Sequence, residues 1–280
     1  MNYRHAFHAG NFADVFKHLL WVSAVQHLKR KDKPFFVLDT HGGIGCYDLQ
    51  GNEASRTEEA MQGIVRLRQH SEHPLLQDYL AVVDSLNADN GGRFYPGSPW
   101  LTASLLRRQD RLQVFELHPQ DGEQLRQNLA AFSNVKVEAP ANGYQALAAA
   151  LPPLEKRGLV LIDPPFEQTD EFDQVIDALS KGIRRWSHGS YAIWYPIKDR
   201  VKIAEFHRDV SAIPQLEKTL VIEFMPRAVT PEKGMHGCGF VWVNPPYGML
   251  NELEPMLKLL VQSLAQDQDA SYRIDWLIEE

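Results

Sequence analysis

Cysteine is scarce in this 280-residue sequence: only Cys46 and Cys238 are present, and neither belongs to a CxxC pair. That argues against a disulfide framework and against a cysteine-built zinc site, and no metal is expected. No apolar run approaches the roughly 18–20 residues of a membrane span. The opening residues, Met1-Asn2-Tyr3-Arg4-His5, carry no apolar signal core, so the expectation is a cytoplasmic protein without a membrane partner. Excess positive charge is missing too. A net charge of -7 argues against a general nucleic-acid coat, which carries a basic balance. Internal repeats and low-complexity linkers are also absent.

The positive charge that exists is concentrated. Residues 1–33 hold Arg4, Lys17, Lys29, Arg30, Lys31 and Lys33 against Asp14 and Asp32, with His5, His8, His18 and His27 in addition. Lys29-Arg30-Lys31 reads either as a solvated helix end favoured by the helix dipole or as a phosphate contact. With 44% hydrophobic and 23% charged residues, the chain suits one large soluble domain, or one domain with an insertion.

Leu159-Val160-Leu161-Ile162-Asp163-Pro164-Pro165-Phe166 joins a buried strand to a compact polar device. The apolar run reads as a parallel strand, and open α/β sheets place their sites at the carboxyl ends of such strands. Two prolines fix φ and donate no hydrogen bond, which holds Asp163 and the following carbonyl rigid beside an aromatic ring. Two acceptors, the Asp163 carboxylate and a proline carbonyl, that of Pro164, suit an exocyclic amine, and Phe166 suits a base that stacks. The alternative is a turn in which Asp163 caps the next helix and Pro-Pro ends a strand.

Apolar spacing predicts a helix over 12–28, with Lys17 and His18 near its start. Pro34 to Asp39 reads as the first strand, and Thr40-His41-Gly42-Gly43-Ile44-Gly45 as a glycine-rich turn in which backbone can approach a ligand. The dinucleotide pattern G-x-G-x-x-G is not met. Residues 47–95 read as an inserted pair of amphipathic helices, over 61–67 and 75–86, joined at His73-Pro74. Ser98 is the expected N-cap of the next helix, with Pro99 at its first position. A second strand, 112–118, contains Glu116, a carboxylate able to accept both hydroxyls of a ribose diol. Asn142-Gly143 follows the third strand, 135–139, within reach of an adenine ring. The Asp163 strand is the fourth, and strands over 190–196, 219–224, 240–244 and 272–278 follow.

Asn244-Pro245-Pro246-Tyr247 repeats the acceptor-Pro-Pro-aromatic pattern. By strand order Asp163 ends the fourth strand and Asn244 the seventh, so Asp163 is the expected catalytic acceptor and Asn244 a strand terminus.

Asp163-Pro164-Pro165-Phe166 resembles the Asp/Asn/Ser-Pro-Pro-Tyr/Phe motif of S-adenosylmethionine-dependent amino-methyltransferases. Together with Tyr3-Arg4-His5, Phe7 to Asn11, Ala13-Asp14-Val15, Lys17-His18, Asp39-Thr40-His41-x-Gly43-x-Gly45, Tyr95 to Pro99 and Glu116-Leu117-His118-Pro119, it resembles the RlmJ family of 23S ribosomal RNA adenine-N6-methyltransferases over nearly the whole chain. The resemblance implies a Rossmann-like α/β methyltransferase fold in which residues 1–46 carry the N-terminal motif, first helix and first strand, 47–95 form a helical insertion, and 96–280 complete the domain. It implies S-adenosylmethionine as cofactor, naked or incompletely assembled 23S rRNA as partner, and a monomer. His18, His41, Ser98, Glu116, Asn142, Gly143 and Asp163 fall on cofactor-contacting positions. Asp163, with Pro164 and Phe166, takes the catalytic place, and Tyr3, with His5 and Lys17, the substrate-contacting one. Phe166 stands where Tyr is frequent, and Asn142 where Asp is familiar. Rival readings are an amino-methyltransferase of DNA adenine or protein glutamine and a non-catalytic RNA-binding protein on the same scaffold. A nicotinamide-dependent oxidoreductase is disfavoured by the missing fingerprint.

Overall fold

The computed structural model describes residues 4–51, 54–88, 91–230 and 234–279, and among them ten strands. These are β1 (Phe36–Asp39), β2 (Cys46–Asp48), β3 (Phe94–Pro96), β4 (Arg111–Phe115), β5 (Val135–Glu138), β6 (Gly158–Ile162), β7 (Ser190–Ile197), β8 (Thr219–Met225), β9 (Gly237–Val243) and β10 (Ser271–Ile278). Eight form one sheet in the order β10-β8-β9-β7-β6-β1-β4-β5, and β2 and β3 pair separately. The run β7-β6-β1-β4-β5 is parallel, while β9 lies antiparallel between β7 and β8.

Side-chain alternation explains the layering. In β1, Val37 packs into one hydrophobic cluster, Phe36 and Leu38 into a second; in β6, Leu159 and Leu161 take the first, Val160 and Ile162 the second. Both faces are covered, which is why these strands read as unbroken apolar runs. One face carries α1 (Phe12–Lys29), α5 (Gln77–Leu86), α6 (Ser98–Leu105) and α11 (Tyr247–Leu264). The other carries α8 (Gly143–Ala150), α9 (Glu171–Arg185) and α10 (Arg200–Ser211), and α7 (Pro119–Leu129) follows β4. Continuing the alternation by one residue, Asp39 and Asp163 turn toward the α1 and α6 face. The chain leaves β1 for β4 and β5 in one direction and for β6 and β7 in the other, and this reversal opens a crevice at the strand ends.

Residues 47–95 depart from the expected pair of helices. Three one-turn helices, α2 (Ala54–Thr57), α3 (Glu59–Gln62) and α4 (Ile64–Leu67), replace the first, and only α5 is long. Gly63 breaks the run: a Cβ there would meet the Gly10 carbonyl at 2.0 Å, and Ile64 N–H donates to that carbonyl at 2.8 Å. The β2–β3 ladder, Cys46↔Pro96 to Asp48↔Phe94, ties the segment's ends together. Its Ile64, Leu67, Leu76, Tyr79 and Leu80 share the α1 cluster, so the segment has no separate core.

One helix start also differs. Gly97, not Ser98, occupies the N-cap of α6, with Pro99 in its first turn. The Ser98 hydroxyl is drawn instead to the buried Asp39 carboxylate at 2.7 Å. Helix α11 begins at Tyr247, immediately after Asn244-Pro-Pro. No helix of the described residues is long and apolar enough to cross a membrane.

Candidate active site

The crevice at the ends of β1, β4, β5 and β6 holds a cavity of about 670 Å³. His5, Lys17, His18, His41, Ser98, Glu116, Asn142, Gly143, Asp163 and Pro164 all line it. Tyr3 lies outside the described residues. Phe166 is not in the lining: at φ +50° its ring packs against Phe172 at 4.8 Å and Trp194 at 6.0 Å. Trp194, within the strand expected over 190–196, lines the cavity instead.

Asp39, Ser98 and Glu116 shape one end of the cavity. The buried Asp39 carboxylate accepts from Ser98 Oγ and, at 3.2 Å, from His41 N–H. Burial pushes its carboxyl up to about 6, with the Ser98 hydrogen bond opposing. Glu116 accepts from Gly43 N–H at 2.8 Å and His118 N–H at 2.7 Å, one on each oxygen. Burial raises it above the usual range against those bonds. Gly43 reaches Glu116 through a left-handed turn, φ +56°, where its lack of a Cβ matters. Gly143 has a different reason: a Cβ would lie 2.0 Å from the Thr40 carbonyl, so glycine lets α8 start against the end of β1.

Two histidines are held neutral. Burial, with Lys17 adding repulsion, lowers His18 to about 3, and burial lowers His41 to about 3. Tyr79 Oη, Tyr95 Oη and His18 Nδ1 form a chain with 2.8 Å links, and His18 Nε2 is buried without a partner among the described residues. Thr40 Oγ1 donates to the Leu161 carbonyl at 3.1 Å and lies 2.7 Å from His41 Nδ1. Its proton being committed, His41 Nδ1 donates to it, and Nε2 carries the free lone pair. Asn142 caps α8, its Oδ1 accepting from Gln145 N–H at 3.1 Å.

The other end is built from the N-terminal block. Asn11 caps α1 and sets the register of the helix that carries Asp14, Lys17 and His18. Lys17 Nζ lies 2.6 Å from Asp163 Oδ2 and 2.9 Å from Asp14 Oδ1, and 5.7 Å from the Trp194 ring centre. Burial opposes its charge, but the two carboxylates hold the ammonium well above the usual lysine range. Asp14 also accepts from His5 Nε2 and Gly10 N–H, each at 2.9 Å. Burial alone would raise its carboxyl; His5 and Lys17 hold it well below the usual range.

Asn244 stands elsewhere. The antiparallel β9 ends opposite the start of β7, with Val243 across from Tyr191, at the opposite end of the strands from Asp163. Its amide donates to the Ser187 and Gly189 carbonyls at 2.9 Å. The described residues contain no cluster of three histidine, cysteine or acidic side chains able to hold a metal.

A mostly parallel α/β sheet with a polar cavity at its switch point and separate acidic side chains at successive strand ends defines a Rossmann-like enzyme. Residues 32–278 match the family model described as ribosomal RNA large subunit methyltransferase D, RlmJ. Ribosomal RNA large subunit methyltransferase J of Haemophilus influenzae is 40% identical over 284 residues, and that of Escherichia coli 39% identical over 281, each alignment covering 100% of both chains. The crystal structure of protein LPL1258 from Legionella pneumophila superposes with a TM-score of 0.88 at 36% identity, covering 96% of this chain and 98% of that one. The chain belongs to the RlmJ family and is a methyltransferase.

Proposed function

We propose that the protein transfers the methyl group of S-adenosylmethionine to N6 of an adenine in 23S ribosomal RNA, with Asp163 and the Pro164 carbonyl holding the amine. The donor set fits the cofactor. Both Glu116 oxygens keep a lone pair beyond their backbone bonds and can take a ribose diol. The unpartnered His18 Nε2 suits an anionic carboxylate when its Nδ1 accepts from Tyr95. Asp39 and Ser98 lie on the same side, with His41, and Asn142 and Gly143 lie where the adenine edge would rest. When bound, the cofactor supplies an electrophilic methyl on a sulfonium.

The observation that carries the reading is the state of Asp163. Lys17 occupies Oδ2, and Oδ1 has no partner among the described residues, so one oxygen is held while the other stays open to an N–H. Asp163 and the Pro164 carbonyl accept the two N6 hydrogens and draw the nitrogen toward a tetrahedral shape. The cofactor, held by Glu116 and His18, would supply its methyl to this nitrogen and leave as the neutral thioether, and the N6 proton released would pass to water. Stacking on Trp194, with Phe166 behind it and Tyr3 from the N-terminal segment, would contribute about 1–3 kcal/mol. An adenine must be single-stranded or flipped out to reach this cavity. The 23S rRNA is taken naked or incompletely assembled, by a cytoplasmic monomer.

Incubating the protein with labelled S-adenosylmethionine and, separately, protein-free 23S rRNA, duplex DNA and glutamine-containing peptides tests this. Label in the rRNA alone is expected; label in DNA or peptide instead would overturn the substrate, and no transfer despite cofactor binding would overturn the activity.

A further inference from the structure

Strand β7 overshoots β6: Ile162 pairs with Ile193, and β7 continues to Ile197. Alternation puts Trp194, Pro196 and Lys198 on one side of this overhang, and all three line the cavity. Arg227, just past β8, lines the same end. The β8–β9 connection that carries it is braced by Arg227 Nη2 donating to the Met235 carbonyl at 3.0 Å and His236 N–H to the Ile197 carbonyl at 2.9 Å. Among the described residues, the lining thus carries Glu116 and Asp121 without a cation beside them at one end, while at the other Lys17 is spent on Asp14 and Asp163, and Lys198 and Arg227 add positive charge.

Many arginines of this acidic chain are neutralised by a neighbour: Arg93 by Asp48, Arg111 by Glu155, Arg200 by Glu223. Lys198 and Arg227 have no carboxylate within 4.0 Å among the described residues, the ion-pair limit. Asp199, next to Lys198, is spent on capping α10 through Val201 N–H. The basic run Lys29-Arg30-Lys31 is at the opposite end of the sheet, where Arg107 and Arg157 hold the Lys31, Lys33 and Leu28 carbonyls before β1 begins.

We propose that Lys198 and Arg227 form the rim that binds phosphates of the RNA strand flanking the target adenine. This rests on the RNA-methyltransferase reading above. Trp194 and Lys198 are four strand residues apart, about 13 Å, so a base beside Trp194 has its neighbouring backbone within reach of the lysine. The two cations contribute to RNA affinity and its salt dependence and leave the cofactor untouched.

The test measures binding of a protein-free 23S rRNA fragment at 50 and 200 mM salt for wild type, Lys198→Gln, Arg227→Gln, the double variant, and Lys29→Gln/Lys31→Gln. Each single-stranded phosphate contact contributes about 0.7 to the log–log salt slope, so wild-type affinity should fall about sevenfold more than the double variant's over this range. Lys198→Gln, at an exposed site, reads the effect without the loop brace. RNA KM should rise, with kcat at saturating RNA and S-adenosylhomocysteine affinity unchanged, and the Lys29/Lys31 variant should match wild type. Wild-type affinity and slope in the double variant would overturn the rim. Intact RNA binding without methyl transfer by wild type would overturn only the activity; no RNA binding at all would overturn both.

Discussion

Replacing Lys17 by Met preserves the bulk of the stem and deletes the charge between Asp14 and Asp163. Both ends of the Lys17–Asp14 pair are buried, with side chains 6% and 2% exposed. Removing one partner from such a pair costs about 3–5 kcal/mol, because the other charge stays buried without compensation. Asp14 would retain only His5 and the Gly10 N–H. Urea unfolding at pH 7.5 should therefore show Lys17→Met less stable by about 3 kcal/mol or more. Adding Asp14→Asn removes the stranded charge and should recover about 2 kcal/mol or more of that loss. The sign with pH follows from Asp14 being held well below its ordinary range. Its contribution is present above the ordinary carboxylate pKa and disappears as pH falls through the depressed one. In Lys17→Met that support is missing, so the variant's penalty should shrink toward acid pH. Methyl transfer should remain low in both variants, since Asp163 lacks its counter-ion in each. A single variant within about 1 kcal/mol of wild type, or a double variant no more stable than the single, would refute the electrostatic argument.

Other expectations concern the two ends of the cavity. Asp163→Ala should abolish methyl transfer while S-adenosylhomocysteine affinity, read by calorimetry, stays within a few-fold of wild type. Glu116→Gln should weaken that affinity by about 1.5–3 kcal/mol, the range for a hydrogen bond to a charged group. Asp39, pushed from an ordinary 3.8 up to about 6 by burial, contributes stability that is complete below the ordinary value and lost as pH rises through the raised one. Asp39→Asn should therefore gain about 2 kcal/mol on wild type between pH 4.5 and 7.5 in urea unfolding. Gly143→Ala should cost about 1–3 kcal/mol in the same assay, because the added methyl meets the Thr40 backbone carbonyl.

Strand order was legible because β1 and β6 are covered on both faces and so read as apolar runs ending in an acid. It also separated Asp163 from Asn244: counting strands sufficed, and the antiparallel β9 supplies the spatial reason, since its end points away from the crevice. Ser98 illustrates a limit. Its local pattern is that of an N-cap, but a buried carboxylate 59 positions earlier in the chain competes for the hydroxyl. The break at Gly63 is equally non-local, set by the Gly10 backbone beneath it. Phe166 and Trp194 could not be ranked from sequence. Which ring faces the cavity depends on a left-handed backbone at Phe166 and on how far β7 outruns β6. The Lys17–Asp163 pair spans 146 positions and has no local signature.

The central claim is most directly tested by nucleoside analysis of protein-free 23S rRNA from cells lacking this gene, after reaction with labelled S-adenosylmethionine and either wild-type protein or Asp163→Ala. The account predicts label in N6-methyladenosine at one position with wild type and none with the variant. Label in any other nucleoside, or wild-type yield from Asp163→Ala, would contradict it.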